Sequence, residues 1–148
     1  MSEQRISQVI YIKASIESVW DALTNPDMTQ RYWGNTRIES EWRVGSKILY
    51  VRDGEVVDEH TVVEVERPSK LIHTFHPLFG EFKDEPPSRV SVLLQSGGEV
   101  VRLALLHDAF PPDSKVYAAC SVGWPLILSG LKTLLETGSP IPAFSPAG

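Results

Sequence analysis

The spacing of hydrophobic and polar positions predicts one strand and two short helices at the start of the chain. Residues 6–14 mix β-branched and aromatic side chains, as strands do. Apolar positions at helical spacing predict a helix over 16–24, and Ser15 is placed to cap it. A second helix is predicted over 26–33, because Asn25 is a good cap and proline is tolerated at the first helical position.

Beyond residue 35 the period changes to that of strands. Strand-like runs cover residues 36–42, 46–53, 55–66, 70–77, 88–96 and 100–108. Turn signals separate these runs and no crossover helix lies between them, which predicts an antiparallel meander. A long last helix is predicted over 112–137, with Asp113 or Ser114 as its cap and Gly138 as its end. The order of elements indicates an α+β fold.

The last helix is predicted to cover one face of a curved sheet, and Pro125 interrupts it. The face expected against the sheet consists of Val116, Cys120, Gly123, Trp124, Ile127, Leu131 and Leu134. Pro125 removes one helical hydrogen bond and predicts a kink, while Gly123 would admit another backbone or loosen the same turn. A kinked helix over a curved sheet leaves two alternatives open, a cavity beneath its middle or a filled core.

Composition narrows the class of protein. The 148 residues suit one domain, predicted over 1–138, with a proline-rich tail over 139–148. The net charge of −5 argues against nucleic-acid binding. We find no apolar run near the roughly 20 residues of a membrane span and no signal peptide in the polar N-terminus. A single cysteine, Cys120, fits a reducing compartment, so a cytoplasmic protein is expected.

Three motifs carry a resemblance to a known family over about residues 5–138. They are the Ala-x-x-Glu-x-Val-Trp start at Ala14, Glu17, Val19 and Trp20, the turn at Gly45, and Gly123-Trp124-Pro125. In this order they resemble the START-like (SRPBCC) helix-grip superfamily, and within it the branch called activator of heat-shock-protein-ninety ATPase homologue-like, which is often grouped with polyketide cyclases. The resemblance implies a curved antiparallel sheet wrapped around a long C-terminal helix.

The resemblance also implies a small apolar ligand held between the sheet and that helix. The residues expected to line the cavity are Trp33, Trp42, Tyr50, His73, Phe75, Leu105, His107, Cys120 and Trp124. Strand alternation puts Phe75 and His73 on one face, and a polar group such as His107 could orient the ligand. Each of these residues has an alternative role as ordinary core. By contrast, His60 lies among acidic residues and is expected at a solvated strand edge.

The signals for catalysis are weaker. Glu59, if it faces inward, would be a buried carboxylate and the best acid/base candidate together with His107; the alternative for Glu59 is an exposed acidic strand. The sequence contains neither a nucleophile elbow nor a phosphate loop, and its histidines lack metal-ligand spacing. We therefore expect no metal and no cofactor, and a binding protein rather than an enzyme.

The segment 76–87 is longer than a hairpin needs. Its apolar residues Leu78, Phe79 and Phe82 would gate a pocket, contact a partner or a second copy of the chain, or fold back onto the core. The sequence thus favours a protein that binds a small hydrophobic molecule. The alternatives are an enzyme of the polyketide cyclase or hydrolase type that uses the same cavity, and a protein-interaction domain. The eukaryotic activators that name the branch carry a further N-terminal domain, which is not expected here, so chaperone activation is not expected either.

Overall fold

A computed structural model describes residues 4–142 and residue 144. The strands are β1 (Ile6–Ile12), β2 (Arg37–Ser40), β3 (Lys47–Arg52), β4 (Glu55–Glu66), β5 (Lys70–Phe75), β6 (Ser88–Gly97) and β7 (Val100–Asp108). The helices are α1 (Ile16–Thr24), α2 (Pro26–Tyr32) and α3 (Lys115–Thr137), with a short 3₁₀ turn at Phe82–Asp84. This is the α+β order that the sequence predicts.

The two short helices are set by their caps. Ser15 Oγ accepts a hydrogen bond from the backbone N–H of Ser18 (3.1 Å), which begins α1. Asn25 Oδ1 accepts from the backbone N–H of Asp27 (3.0 Å), and Pro26 occupies the first position of α2. The two helices therefore begin where the sequence predicts.

All seven strands form one antiparallel sheet in the order β1-β7-β6-β5-β4-β3-β2. The meander over β2 to β7 is the predicted one, and β1 closes the order by pairing with β7, with Ile10 opposite Leu103. Register shifts after Tyr50 in β3 and after Val62 in β4 mark bulges, which increase the twist of a sheet locally. The sheet so formed has one face packed under α3.

Helix α3 begins three residues later than predicted. Its cap is Ser114, whose Oγ accepts from the backbone N–H of Tyr117 (3.0 Å), while Asp113 has a left-handed backbone (φ 56°) and lies outside the helix. Gly138 ends the helix in the left-handed conformation (φ 85°), as predicted. Pro125 lies inside the continuous helix on its exposed side, and the kink stays a prediction.

The close approach of another backbone to α3 occurs at Gly130 and not at Gly123. A Cβ on Gly130 would lie 3.3 Å from the carbonyl oxygen of Tyr32, so α2 crosses α3 at that point. A Cβ on Gly123 would meet no atom within 4 Å. The expectation that Gly123 admits a neighbouring backbone is therefore wrong, since the space beside it is open.

Strands β1, β2 and β5 each end two residues earlier than predicted. Strand β2 stops at Ser40 because Trp42 adopts a left-handed backbone (φ 55°) in the turn that follows, and β5 stops at Phe75. The division into 1–138 and 139–148 stays a prediction, and part of that tail, like residues 1–3, lies outside the described residues.

By length and composition α3 could cross a membrane, with a mean hydropathy of 1.4 over its most apolar window. This corrects the expectation that no apolar run comes near that length. This is weak evidence for a membrane span, because the core helix of a soluble domain meets the same criteria. The residues of α3 that are buried against the sheet include Trp124, Leu128, Leu131 and Leu134.

Candidate functional site

The space between the middle of α3 and the sheet is largely filled. The inward-facing strand residues are buried as the alternation predicts, and they are Leu71, His73, Phe75, Val90, Val92, Leu94, Val101, Leu103, Leu105 and His107. A gap of about 30 Å³ remains, bordered among others by Trp42, His73 and Leu105. Since a gap of this size has room for roughly one or two water molecules and not for a ring, this part of the interior is a filled core.

A larger cavity of about 150 Å³ lies beside the first half of α3. We call it the aromatic cavity. Its walls come from α3, from the ends of β3 and β5, from β4, and from the segment that follows β5. The lining residues are Trp33, Tyr50, Arg52, Asp58, Phe75, Pro77, Phe79, Phe82, Val116, Ala119, Cys120, Gly123, Trp124 and Ile127. A cavity of this size has room for a single six-membered ring.

Aromatic rings form much of the wall of the cavity and brace one another. Trp33 packs edge-on against Tyr50 and against Trp124, with ring centroids 5.6 Å apart in both pairs. Phe79 and Phe82 make a similar pair at 5.3 Å. Edge-to-face pairs of this kind are favourable beyond their buried area. The wall is therefore both rigid and apolar.

One buried carboxylate interrupts this apolar wall. Asp58 is 4% exposed, and its Oδ1 has no hydrogen-bond partner among the described residues. Its Oδ2 lies 3.3 Å from His60 Nε2, but the two atoms are not aligned for a hydrogen bond. A buried polar group without a partner costs about 1–3 kcal/mol, and more when it is charged. Oδ1 of Asp58 is thus a buried acceptor that no described residue satisfies.

His60 does not neutralise that carboxylate. The backbone N–H of His76 donates to His60 Nδ1 (2.8 Å), so that nitrogen carries no proton and a neutral ring bears its proton on Nε2. Burial lowers the pKa of His60, although the neighbouring Asp58 opposes the shift. The ring is therefore neutral at pH 7, and Asp58 is left with a weak neutral neighbour.

Arg52 stands in the same wall. Its Nε donates to the hydroxyl of the fully buried Thr36 (2.8 Å), which holds the base of the guanidinium in place. Burial and the nearby Asp58 raise the pKa of Tyr50 well above its usual value, so the phenol stays protonated. Burial also raises the pKa of the Cys120 thiol to about 12, and Cys120 is not an activated nucleophile.

His107 has a structural arrangement that leaves no ring nitrogen for a ligand. Trp124 Nε1 donates to its Nδ1 (3.0 Å), which places the proton of the neutral ring on Nε2, and Nε2 in turn donates to Ser88 Oγ (2.8 Å). Ser88 Oγ donates onward to the carbonyl of Phe75 (3.4 Å). Desolvation lowers the pKa of His107 to about 3, in keeping with a neutral ring. His107 lines neither cavity, and the expectation that it orients a ligand is not supported by this geometry.

His73 borders only the small central gap. Its Nδ1 donates to the backbone carbonyl of Thr74 (2.6 Å), and burial lowers its pKa to about 3. It is therefore neutral and lies apart from the aromatic cavity.

The acidic stretch of β4 settles one alternative and corrects one prediction. Glu59 faces outward, with its side chain 43% exposed and paired with Lys47 at 3.3 Å, so the exposed alternative holds and Glu59 does not act inside the cavity. His60, expected at a solvated edge, is fully buried, and Asp58 is buried beside it. The reason is the period of the strand: Asp58 and His60 share a face with the buried Val62. Counting back from Val62 in steps of two would have found both residues.

The segment 76–87 contributes to the cavity. Phe79 and Phe82 lie in its wall, whereas Leu78 is exposed and does not line it. Glu85 ties the segment to the start of α3, because its carboxylate accepts hydrogen bonds from Ser114 Oγ (2.6 Å) and from the backbone N–H of Lys115 (2.7 Å). The segment therefore bridges β5 and α3 across one side of the cavity, and its role as a gate stays a prediction.

The residues predicted to line one cavity are divided between the aromatic cavity and the central gap. Trp33, Tyr50 and Trp124 border both the aromatic cavity and the central gap, and Phe75 and Cys120 border only the former. Among the described residues, no group of three or more histidine, cysteine, aspartate or glutamate side chains could hold a metal ion. The arrangement can bind a small apolar molecule and offer it one carboxylate.

Comparison with known proteins gives a family and a fold. A family model described as "Activator of Hsp90 ATPase homolog 1-like protein" matches residues 13–136. A search of curated proteins found no match. Among solved structures, the solution structure of the Aha1 dimer from Colwellia psychrerythraea is similar, with a TM-score of 0.74 at 24% identity over 90% of this chain and 97% of that one.

Two further solved structures show the same fold. CalU16 from Micromonospora echinospora has a TM-score of 0.71 at 22% identity, over 93% of this chain and 77% of its own. PFC0360w, described as an HSP90 activator from Plasmodium falciparum, has a TM-score of 0.73 at 19% identity, over 93% and 98%. At such identities the likeness concerns the helix-grip fold alone, since one fold carries many functions.

Proposed function

The chain belongs to the family of activator of Hsp90 ATPase homolog 1-like proteins, a family related to polyketide cyclases, and from that premise we propose that it binds a small hydrophobic molecule in the aromatic cavity. The ligand lies between α3, the sheet and the segment 76–87. Shape and aromatic contact select it.

The observation that carries this proposal is the open space beside Gly123. Glycine in a helix interior costs about 0.5–1 kcal/mol relative to alanine, and no neighbouring atom within 4 Å requires it here. Gly123 lies in the wall of the aromatic cavity, so the missing side chain keeps volume free. Concave, largely apolar sites with a few polar groups are typical of small-molecule binding.

Native mass spectrometry of the freshly purified protein tests the proposal, with Gly123→Leu as the variant and Gly123→Ala as its matched control. A leucine side chain at this position begins in open space at its Cβ and extends into the cavity, so it fills much of the volume. We expect a bound species of defined mass on the wild type and on Gly123→Ala, and none on Gly123→Leu.

Where no species co-purifies, the same three proteins are titrated with single-ring aromatic compounds. Saturable binding that Gly123→Leu abolishes supports the proposal. Binding that is equal in wild type and Gly123→Leu, or no binding to any of them, contradicts it.

Assembly is a separate part of the proposed function. The Colwellia structure is a dimer, which supports a homodimer as the candidate assembly of this chain. Light scattering during size-exclusion chromatography measures the mass directly, and a value near the 16.5 kDa of one chain at all concentrations would contradict a homodimer. A cytoplasmic location also remains a prediction.

A further inference from the structure

If the aromatic cavity binds a small molecule, as the proposed function states, the polar end of that molecule meets the buried Asp58. We infer that the aromatic cavity takes a ring-sized molecule bearing a hydroxyl group, such as a phenol, whose O–H donates to the carboxylate of Asp58.

The first observation is the state of that carboxylate. Asp58 is buried in the cavity wall, and its Oδ1 lacks a hydrogen-bond partner among the described residues. The neighbouring His60 is neutral, and its Nε2, 3.3 Å from Oδ2, is poorly aligned. A carboxylate accepts hydrogen bonds and does not donate them, so what completes this one must be a donor.

The second observation concerns how Asp58 is held. Its residue pairs across the sheet with Tyr50 on β3, and an isolated bridge to Pro77 fixes it from the other side. The backbone N–H of His76 also fixes the adjacent His60 ring. The backbone of Asp58 is therefore held by two neighbouring segments, β3 and the residues that follow β5, before any ligand enters, and such preorganisation favours binding.

The third observation decides between a neutral donor and a cation. Arg52 lines the same cavity, so its guanidinium contributes a positive charge opposite to that of Asp58. A permanent cation would meet like charge in an apolar site, which is unfavourable. A neutral hydroxyl on an aromatic body satisfies Asp58 without that conflict, and its ring fits among Trp33, Phe75 and Trp124.

The volume limits the body of the ligand. About 150 Å³ is the space of one six-membered ring, and the cavity is open on one side. A monocyclic phenol fills it, while a larger molecule would place one phenolic ring inside and the remainder outside.

Calorimetric titration with phenol and with fluorobenzene tests this inference, because the two molecules have nearly the same shape and only phenol carries a donor. We expect the wild type to bind phenol at least about tenfold more tightly than fluorobenzene, as a hydrogen bond to a charged group predicts. In Asp58→Asn and Asp58→Leu the ratio of the two affinities should fall to about threefold or less, whatever the affinity of each variant for fluorobenzene.

Glu59→Gln is the matched control, because Glu59 is the next carboxylate along β4 but faces solvent. It should leave both affinities unchanged. Thermal unfolding of Asp58→Leu separates ligand recognition from a structural role. If Asp58 stabilised the fold, its loss would lower the melting temperature, whereas the removal of an unsatisfied buried carboxylate should keep or raise it.

Two outcomes overturn the inference in distinguishable ways. If fluorobenzene binds the wild type and phenol gains nothing over it, or if the preference survives in both Asp58 variants, Asp58 does not recognise a hydroxyl and only this inference fails. If neither compound binds the wild type at millimolar concentration, the aromatic cavity is not a site for such rings and the proposed function fails with it.

Discussion

Two glycines on α3, seven residues apart, should respond in opposite directions to the same substitution. Gly123→Ala adds a Cβ where no atom lies within 4 Å, so the variant gains helix propensity without a clash. The expected gain in the free energy of unfolding is about 0.5–1 kcal/mol. For a chain of this size, about 1 kcal/mol corresponds to a rise of roughly 2–4 °C in the melting temperature.

Gly130→Ala gains the same propensity but loses more than it gains. The new Cβ would lie 3.3 Å from the carbonyl oxygen and 3.4 Å from the Cβ of Tyr32, and both are parts of a packed helix. Overpacking of this kind costs about 1–3 kcal/mol, which leaves a net loss of about 1–2 kcal/mol after the propensity gain. The melting temperature should therefore fall by several degrees.

Urea denaturation and differential scanning calorimetry of the two variants measure the pair. The slope of the free energy with urea should match that of the wild type, so that the midpoints report stability alone. A destabilised Gly123→Ala would refute the reasoning, because it would mean that something in the fold does use the space beside Gly123. A stabilised Gly130→Ala would show that α2 and α3 are not in contact there.

Other consequences of the interior concern pH and hydrogen bonding. Burial lowers the pKa of His73 and of His107 to about 3, so the unfolded chain binds a proton at each histidine below about pH 6.5 while the native state stays neutral. The free energy of unfolding should therefore be greatest above pH 6.5 and fall by about 2–3 kcal/mol per histidine by pH 4.5. Urea denaturation at a series of pH values measures this fall. Ser88→Ala should cost about 1–3 kcal/mol by removing the hydroxyl that the His107 ring bonds, whereas Ser91→Ala, half-exposed on the same strand, should cost less than 0.5 kcal/mol. Glu85→Gln should speed hydrogen exchange in the first turn of α3, and unchanged protection would show that this carboxylate does not hold the segment 76–87 to the helix.

The sequence was sufficient for the order of elements because the relevant signals are local. Ser15, Asn25 and Gly138 cap or end helices through bonds to residues a few positions away, and the two-residue period of the strands is set by the pleat. The same period also identified the inward faces of β5 and β7. These predictions needed no knowledge of what lies across the core.

The parts of the site that were missed depend on contacts between distant segments. His107 looked available because its partners Ser88 and Trp124 lie 19 and 17 residues away, and no local pattern shows that both its nitrogens are bonded. Gly123 and Gly130 both lie in the interior of α3, and the sequence gives no sign that they differ. They differ because α2 lies against Gly130 and not against Gly123.

Asp58 was within reach of the sequence. The strand period counted back from Val62 places it inside, although its neighbours in the sequence are charged. A carboxylate on the apolar face of a strand is the less common arrangement, and it is the one that marks the candidate site.

The indole N–H resonances of the four tryptophans report directly, in ¹H–¹⁵N NMR spectra, whether the aromatic cavity admits a ring. Trp33 and Trp124 line the cavity, while Trp20 is a buried residue of α1 that does not line it and serves as an internal reference. On titration with phenol, the resonances of Trp33 and Trp124 should shift saturably and that of Trp20 should not, and Gly123→Leu should abolish the shifts. Unmoved resonances at Trp33 and Trp124, or equal shifts in the Gly123→Leu protein, would contradict the account.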